Sequence, residues 1–212
     1  MLMGIRFENQ FGELISENQA LKMGKYYVVQ DDGGEVKQIE EFYAGRPILL
    51  TYFNNSGETD EQLINRVFRE GWQLTIVNSE IYAHDYLIRR RTHYSIHKTL
   101  LAKSHQFLDK YKNIIAYAWI SDLVKGIPDH SMTKKFYYDP EINPNEYMFD
   151  CEYNEDGSLL ELYYNSLHTN ISGQDSEVYL NNPKGIATIR ALTGISQGLA
   201  EYYMTADVIP RF

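Results

Sequence analysis

KYYVVQDDGGEVKQIEEFYAGRPILLTYF, residues 25 to 53, decides the fold class. Lys25 to Gln30 is apolar and β-favouring, and Asp31-Asp32-Gly33-Gly34 supplies the positive backbone angles of a tight hairpin turn. Glu35 to Tyr43 runs outward, Ala44-Gly45-Arg46-Pro47 turns the chain again, and Ile48 to Phe53 returns. The stretch therefore reads as a three-stranded antiparallel meander, preceded by a hairpin around Phe11-Gly12.

Thr59 and Gln62 have the spacing of a capping box, and Leu63, Ile64, Val67 and Phe68 follow with helical period until Gly71. A helix over 59–70 and a strand from Trp72 to Val77 are expected. Strands followed by a helix favour an α+β arrangement over alternating βαβ units. Ile96, Leu100, Ser104, Phe107 and Tyr111 recur every three or four residues, which predicts a helix over 95–112, and Ile114 to Ile120 reads as a buried strand. Three of the six prolines fall between residues 125 and 146, so any subdomain boundary in this single 212-residue α+β domain belongs there, near residue 130. Beyond it, Thr133 to Tyr138, Tyr147 to Tyr153 and Ser158 to Tyr164 are strand-like, with Glu155-Asp156-Gly157 as a turn. Asn182-Pro183 starts a third helix, over 183–204. The fold class is thus α+β: mainly antiparallel sheet with about three helices.

Composition narrows the function. Eighteen tyrosines and nine phenylalanines fit half-buried rings on sheets and also suit interfaces, because a tyrosine has one apolar end and one wet end. A single cysteine rules out an internal disulfide framework and fits a reducing cytoplasm. Cys151 alternates with Phe149 and Tyr153 and stands between two acids, so it is expected to be a buried structural thiol. No basic start with an apolar run follows Met1, and no long apolar run exists, so neither export by that route nor a membrane span is expected.

Charge is unevenly placed. Residues 84 to 112 hold seven of the twenty basic side chains, four of the six histidines and only two acids, a +5 island in a chain of net charge −9. Read as a strand, Tyr82 to Tyr94 puts Tyr82, Tyr86, Ile88 and Tyr94 on one side and Asp85, Arg89, Arg91 and His93 on the other. Arginine forks bind phosphate or carboxylate, so these four residues are the candidate anion- or ligand-binding face. The competing expectation pairs the arginines with acids such as Glu35, Glu40 and Glu41. The acidic pI argues against general nucleic-acid binding.

Two motifs lead to no chemistry. Gly194-Ile195-Ser196-Gln197-Gly198 resembles the nucleophile elbow of α/β-hydrolases, but no histidine follows Ser196, so the base is missing. His93 and His97 would share a helix face suited to a divalent metal, yet no acid completes the set, and they are expected to be core histidines. No metal site and no cofactor is assigned, and a catalytic set is not recognisable. Asn54-Asn55-Ser56 and Asn170-Ile171-Ser172 match the glycosylation sequon.

The expected function is therefore a protein-binding module with a basic partner protein. In general character the small, acidic, tyrosine-rich chain resembles bacterial immunity or antitoxin-type proteins, which implies masking of a partner such as a nuclease. The alternative is an enzyme or sensor for an anionic small molecule or nucleotide at the Asp85, Arg89, Arg91, His93 face.

Overall fold

The structure, a computed structural model, describes residues 3–82, 86–138, 147–164, 187, 190 and 195–209. The chain divides into two compact units: Met1–Ser79 with Arg90–Lys103, and Glu80–Arg89 with Ser104–Phe212. Pro128 and the 3-10 turn His130–Met132 fall inside the second unit.

The first unit holds β1 (Met3–Glu8), β2 (Leu14–Ile15), α1 (Glu17–Ala20), β3 (Lys25–Asp32), β4 (Glu35–Tyr43), β5 (Arg46–Asn54) and α2 (Asp60–Val67). It also holds most of β6 (Gln73–Ile81) and of β7 (Leu87–Tyr94). Its strand order is β2-β1-β3-β4-β5-β6-β7. The expected meander is β3-β4-β5: Gly33 and Gly34 turn at φ of 62° and 88°, and Ala44 and Gly45 at 48° and 72°. Both central residues at positive φ give a hairpin turn whose twist matches the strands it joins.

After β5 the expected order changes. β5 and β6 pair in parallel, Leu50 opposite Leu74 and Tyr52 opposite Ile76, with α2 as the crossover, so one βαβ unit is present after all. The eighteen residues 55–72 are long enough for a crossover, which a parallel pair requires. Thr59 caps α2 as expected: its side chain accepts from the Gln62 amide and Gln62 returns the bond to the Thr59 backbone. Leu63 of α2 is fully buried against Leu50, Leu74 and Ile76, and Ile64, Val67, Trp72 and Tyr94 complete that core.

The second unit contains most of β8 (Leu100–Leu108), then β9 (Ile114–Asp122), β10 (Ile127–Pro128), β11 (Lys134–Tyr138), β12 (Tyr147–Tyr153), β13 (Leu159–Tyr164) and α3 (Gln197–Tyr203). Its strands run in the order β8-β9-β11-β12-β13, all antiparallel, with β10 on β9. The helix expected over 95–112 is instead a turn and the strand β8. Ser95 ends β7 by accepting from the amides of His97 and Thr99, Lys98 turns at φ 62°, and Ser104 to Leu108 then pair with β9. The apolar spacing there fits either period, and the hydrogen-bonding edge of β9 decides it. Of the helix expected over 183–204, the described part is α3 with helical Ala187 and Arg190; Ser196 is the N-cap of α3, accepting from the Leu199 amide.

Most strands have five to nine residues, whereas the three α-helices among the described residues have four, eight and seven. The expectation of a mainly antiparallel sheet with about three helices holds, and the sheet dominates. Among the described residues no helix is long and apolar enough to cross a membrane.

The capping box at α2 is a sharp test of this local reading. Thr59→Ala should lower the stability of the protein by about 1 kcal/mol in denaturant titrations, and Thr59→Ser should recover most of it. Equal midpoints for the Ala variant and the parent would contradict it.

Candidate functional site

β7 is a strand, so Arg89, Arg91 and His93 do lie on one face of it and Arg90 on the other. Asp85 lies outside the described residues. Thr75 Oγ1 on β6 is 2.8 Å from Nδ1 of His93, and burial together with Arg91 pushes the His93 pKa down to about 4. A histidine held that low is neutral near pH 7, so it adds no positive charge for an anion.

The acids expected to meet the arginines are held elsewhere: Glu40 by Arg69 at 2.8 Å, Glu41 by Lys25 and Glu35 by Lys37, each at 2.7 Å. β4 runs between β3 and β5, which is why its acids meet the cations of its own neighbourhood. The basic island is also dispersed. Arg90 faces away from Arg91, Lys98 occupies the turn before β8, and Lys110 and Lys112 sit in the turn after it.

His97 is in that first turn, off the face of His93, so the paired-imidazole arrangement does not form. Among the described residues no three His, Cys, Asp or Glu side chains gather as metal ligands. In the sequon at 54, the Asn54 amide donates to the Glu58 carbonyl at 2.8 Å and to Asn78 Oδ1 at 2.7 Å. The sequon at 170 lies outside the described residues.

The second unit carries a feature that composition alone did not expose. Antiparallel register sorts its side chains into two faces, beginning with the row Gln106, Tyr117, Lys134, Glu152 and Glu161 across β8, β9, β11, β12 and β13. The neighbouring row is Phe136, Asp150 and Tyr163. Opposite them, on the other face, are Phe107, Ala116, Lys135, Cys151 and Leu162.

That second face is the core. α3 covers it, with Ala200, Tyr202 and Tyr203 packed on Phe149, Cys151, Tyr153 and Leu162. Lys135 is buried in it with no exposed surface. Its Nζ donates to the Tyr202 carbonyl and sits 3.4 Å from the centre of the Tyr202 ring, and the Tyr153 ring centre is 5.5 Å away. Tyr153 OH donates to the Tyr203 carbonyl at 2.9 Å, and Tyr203 OH to the Phe136 carbonyl at 3.0 Å, so three side chains tie α3 to the strands. Burial lowers the Lys135 pKa to about 7, partly offset by Cys151 and Asp207. Burial also pushes the Cys151 thiol up to about 12, which leaves it protonated and inert, as the sequence suggested.

A perturbed buried lysine is often catalytic, but here no substrate reaches the nitrogen. A cleft of about 210 Å³ opens beside α3, lined by Gly198, Glu201, Tyr202, Thr205, Asp207 and Ile209. Its charged lining is the two carboxylates of Glu201 and Asp207. Ser196 is occupied as a helix cap, so the elbow-like pentapeptide has a structural role.

The first face is different. Its aromatic residues Tyr117, Trp119, Phe136 and Tyr163 are half-buried, and Tyr117 and Trp119 meet edge to face at 5.6 Å. Tyr147, which is exposed, packs edge-on against Phe136 at 5.4 Å. Asp150, Glu152 and Glu161 stand among these rings with one cation, Lys134, which pairs with Glu152. Tyr163 OH donates to Glu161 at 2.8 Å. Among the described residues Asp150 forms no hydrogen bond and no ion pair; burial and the charges of Glu152 and Glu161 raise its pKa, against the pull of Lys134.

Sequence reasoning missed both Lys135 and this face. The alternation of Thr133, Lys135 and Tyr137 points the lysine inward, which is a readable signal. The acidic, aromatic face exists only through pairing of four strands, β9, β11, β12 and β13. No protein-family model matches the chain, and no curated protein or solved structure matches it either.

The two perturbed groups of the core predict how stability varies with pH. Between about 7 and its ordinary 10.5, Lys135 is neutral when folded and protonated when unfolded, so the unfolded chain binds more protons and stability rises with pH. Above 9, the ordinary value of the thiol, Cys151 contributes the opposite sign and offsets the lysine, because the folded protein keeps the thiol proton up to about 12. Denaturation midpoints should therefore rise from pH 7 to about 9. In Lys135→Met the rise should vanish, whereas an unchanged slope would show that the amine is not titrating in the core.

Proposed function

We propose that the protein is a protein-binding module whose target is basic, and that it docks through the outer face of β9, β11, β12 and β13. The observation that carries this reading is the combination on one sheet face of Tyr117, Trp119, Phe136 and Tyr163 with Asp150, Glu152 and Glu161. Tyrosine and tryptophan supply large contact area with little rotamer entropy to lose, which is why they concentrate binding energy at interfaces. Carboxylates among them select a cationic partner and speed its approach, and the net charge of −9 adds to the attraction at longer range. The same charge repels phosphates, which disfavours nucleic acid as the occupant. An inhibitory role of the immunity or antitoxin kind, in which the acidic face covers the working surface of a basic enzyme, is the narrower form of this proposal. A cytoplasmic setting suits it, since the one thiol is buried and unpaired.

The perturbed His93 beside Arg91 favours a second reading, in which a small anionic ligand meets the Arg89, Arg91, His93 face of β7. The low histidine pKa weakens it, since only the arginines would carry charge at neutral pH.

Site-specific photocrosslinking in the producing cells separates the two. With a photoreactive phenylalanine in place of Tyr163, irradiation should yield one dominant adduct with a basic protein, and the same group in place of the exposed Tyr111 should not. Adducts of equal pattern at both positions, or none at 163, would count against the docking face.

A further inference from the structure

We infer that the cross-strand row Phe136, Asp150 and Tyr163 is the seat for one arginine side chain of the basic partner, its guanidinium paired with the Asp150 carboxylate and flanked by the two rings. The inference rests on the docking reading above and names the contact at its centre. Register alone places the three side chains directly opposite one another on β11, β12 and β13, with the carboxylate in the middle. Adjacent strands are about 4.8 Å apart, so each ring is one strand spacing from the acid.

The three carboxylates of this face are not equivalent. Lys134 holds Glu152, and the Tyr163 hydroxyl holds Glu161. Asp150 has neither kind of partner among the described residues, although it is half-buried. A half-buried carboxylate without a donor is costly in the free protein, and a cation that supplies donors removes that cost. The raised Asp150 pKa has the same origin, a site that holds a negative charge poorly until a positive one arrives.

The chemistry of the surroundings selects the cation. A divalent metal needs several oxygen ligands, and two of the three acids here are already engaged. An ammonium is compact and strongly hydrated, so flanking apolar rings cost it solvent. A guanidinium is planar, weakly hydrated, offers paired N–H donors to one carboxylate and stacks on aromatic faces. Phe136 is held in place by the edge of Tyr147, which keeps its side of the seat formed before binding.

The test uses the full chain and two capped peptides, one with three arginines separated by glycines and one with lysines in the same places, followed by amide chemical shifts in NMR titrations. The arginine peptide should shift amides of β11 to β13 and bind at least about fivefold more tightly than the lysine peptide. Asp150→Asn should weaken it about tenfold, Tyr163→Leu should reduce the preference for arginine, and Glu61→Gln on α2 should change nothing. If the peptide maps to β11–β13 but Asp150→Asn binds it as tightly as the parent, or both peptides bind equally, the arginine seat is wrong and the docking face survives. If the arginine peptide shifts nothing on these strands, both fall. The amide spectrum of each variant reports directly whether it folds like the parent.

Discussion

Strand register in the second unit is the constraint on which everything else depends. Side chains alternate across a strand, so one residue of slippage of β12 against β11 would move Cys151 and Phe149 outward and bring Asp150 and Glu152 into the core. Burying these two carboxylates would cost a large part of the small margin by which a domain is stable. In the observed register the one buried cation among the described residues is Lys135, and it has the Tyr202 carbonyl and two tyrosine rings to receive it. The lysine thereby ties a helix to a sheet and marks which face is the inside. The consequence is a second face that keeps its rings and carboxylates at the surface.

The inner face also explains why chemistry is not located there. A lysine with a pKa near 7 and a cysteine opposite it would make a reactive pair if water and substrate could reach them. Burial raises the thiol and seals the amine, and the hydroxyls of Tyr153 and Tyr203 are used to hold α3. The polar groups of this core are consumed by structure. On the outer face the reverse is true of Asp150, which has no donor among the described residues, and this is what the proposed contact would supply.

Much of the fold was legible where the determinants are local. The double glycine after Asp32, the Thr59 and Gln62 capping box and the Gly157 turn each fix backbone geometry within four residues, and each is found as read. Strand β8 is not legible in the sequence because Leu100, Ser104, Phe107 and Tyr111 suit a helix as well as a strand, and only pairing of Ser104 to Leu108 with β9 decides between them. The basic stretch from 84 to 112 drew attention as a cluster in sequence, yet strand alternation and two turns scatter its charges. The parallel pairing of β5 with β6 is likewise a long-range choice. Of the candidate site, the abundance of tyrosine and the acidic balance were visible; which acids stand beside which rings was not, because that depends on which residues of separate strands pair.

The claim that the outer face of β9, β11, β12 and β13 is a contact surface is tested most directly by hydroxyl-radical footprinting of the protein inside its cells and after isolation. Tyr117, Trp119, Phe136 and Tyr163 should be oxidised several times more slowly in the cell than in the isolated protein, while the exposed Tyr43 and Tyr111 react equally in both. Equal oxidation of the four face residues in the two settings would contradict the account.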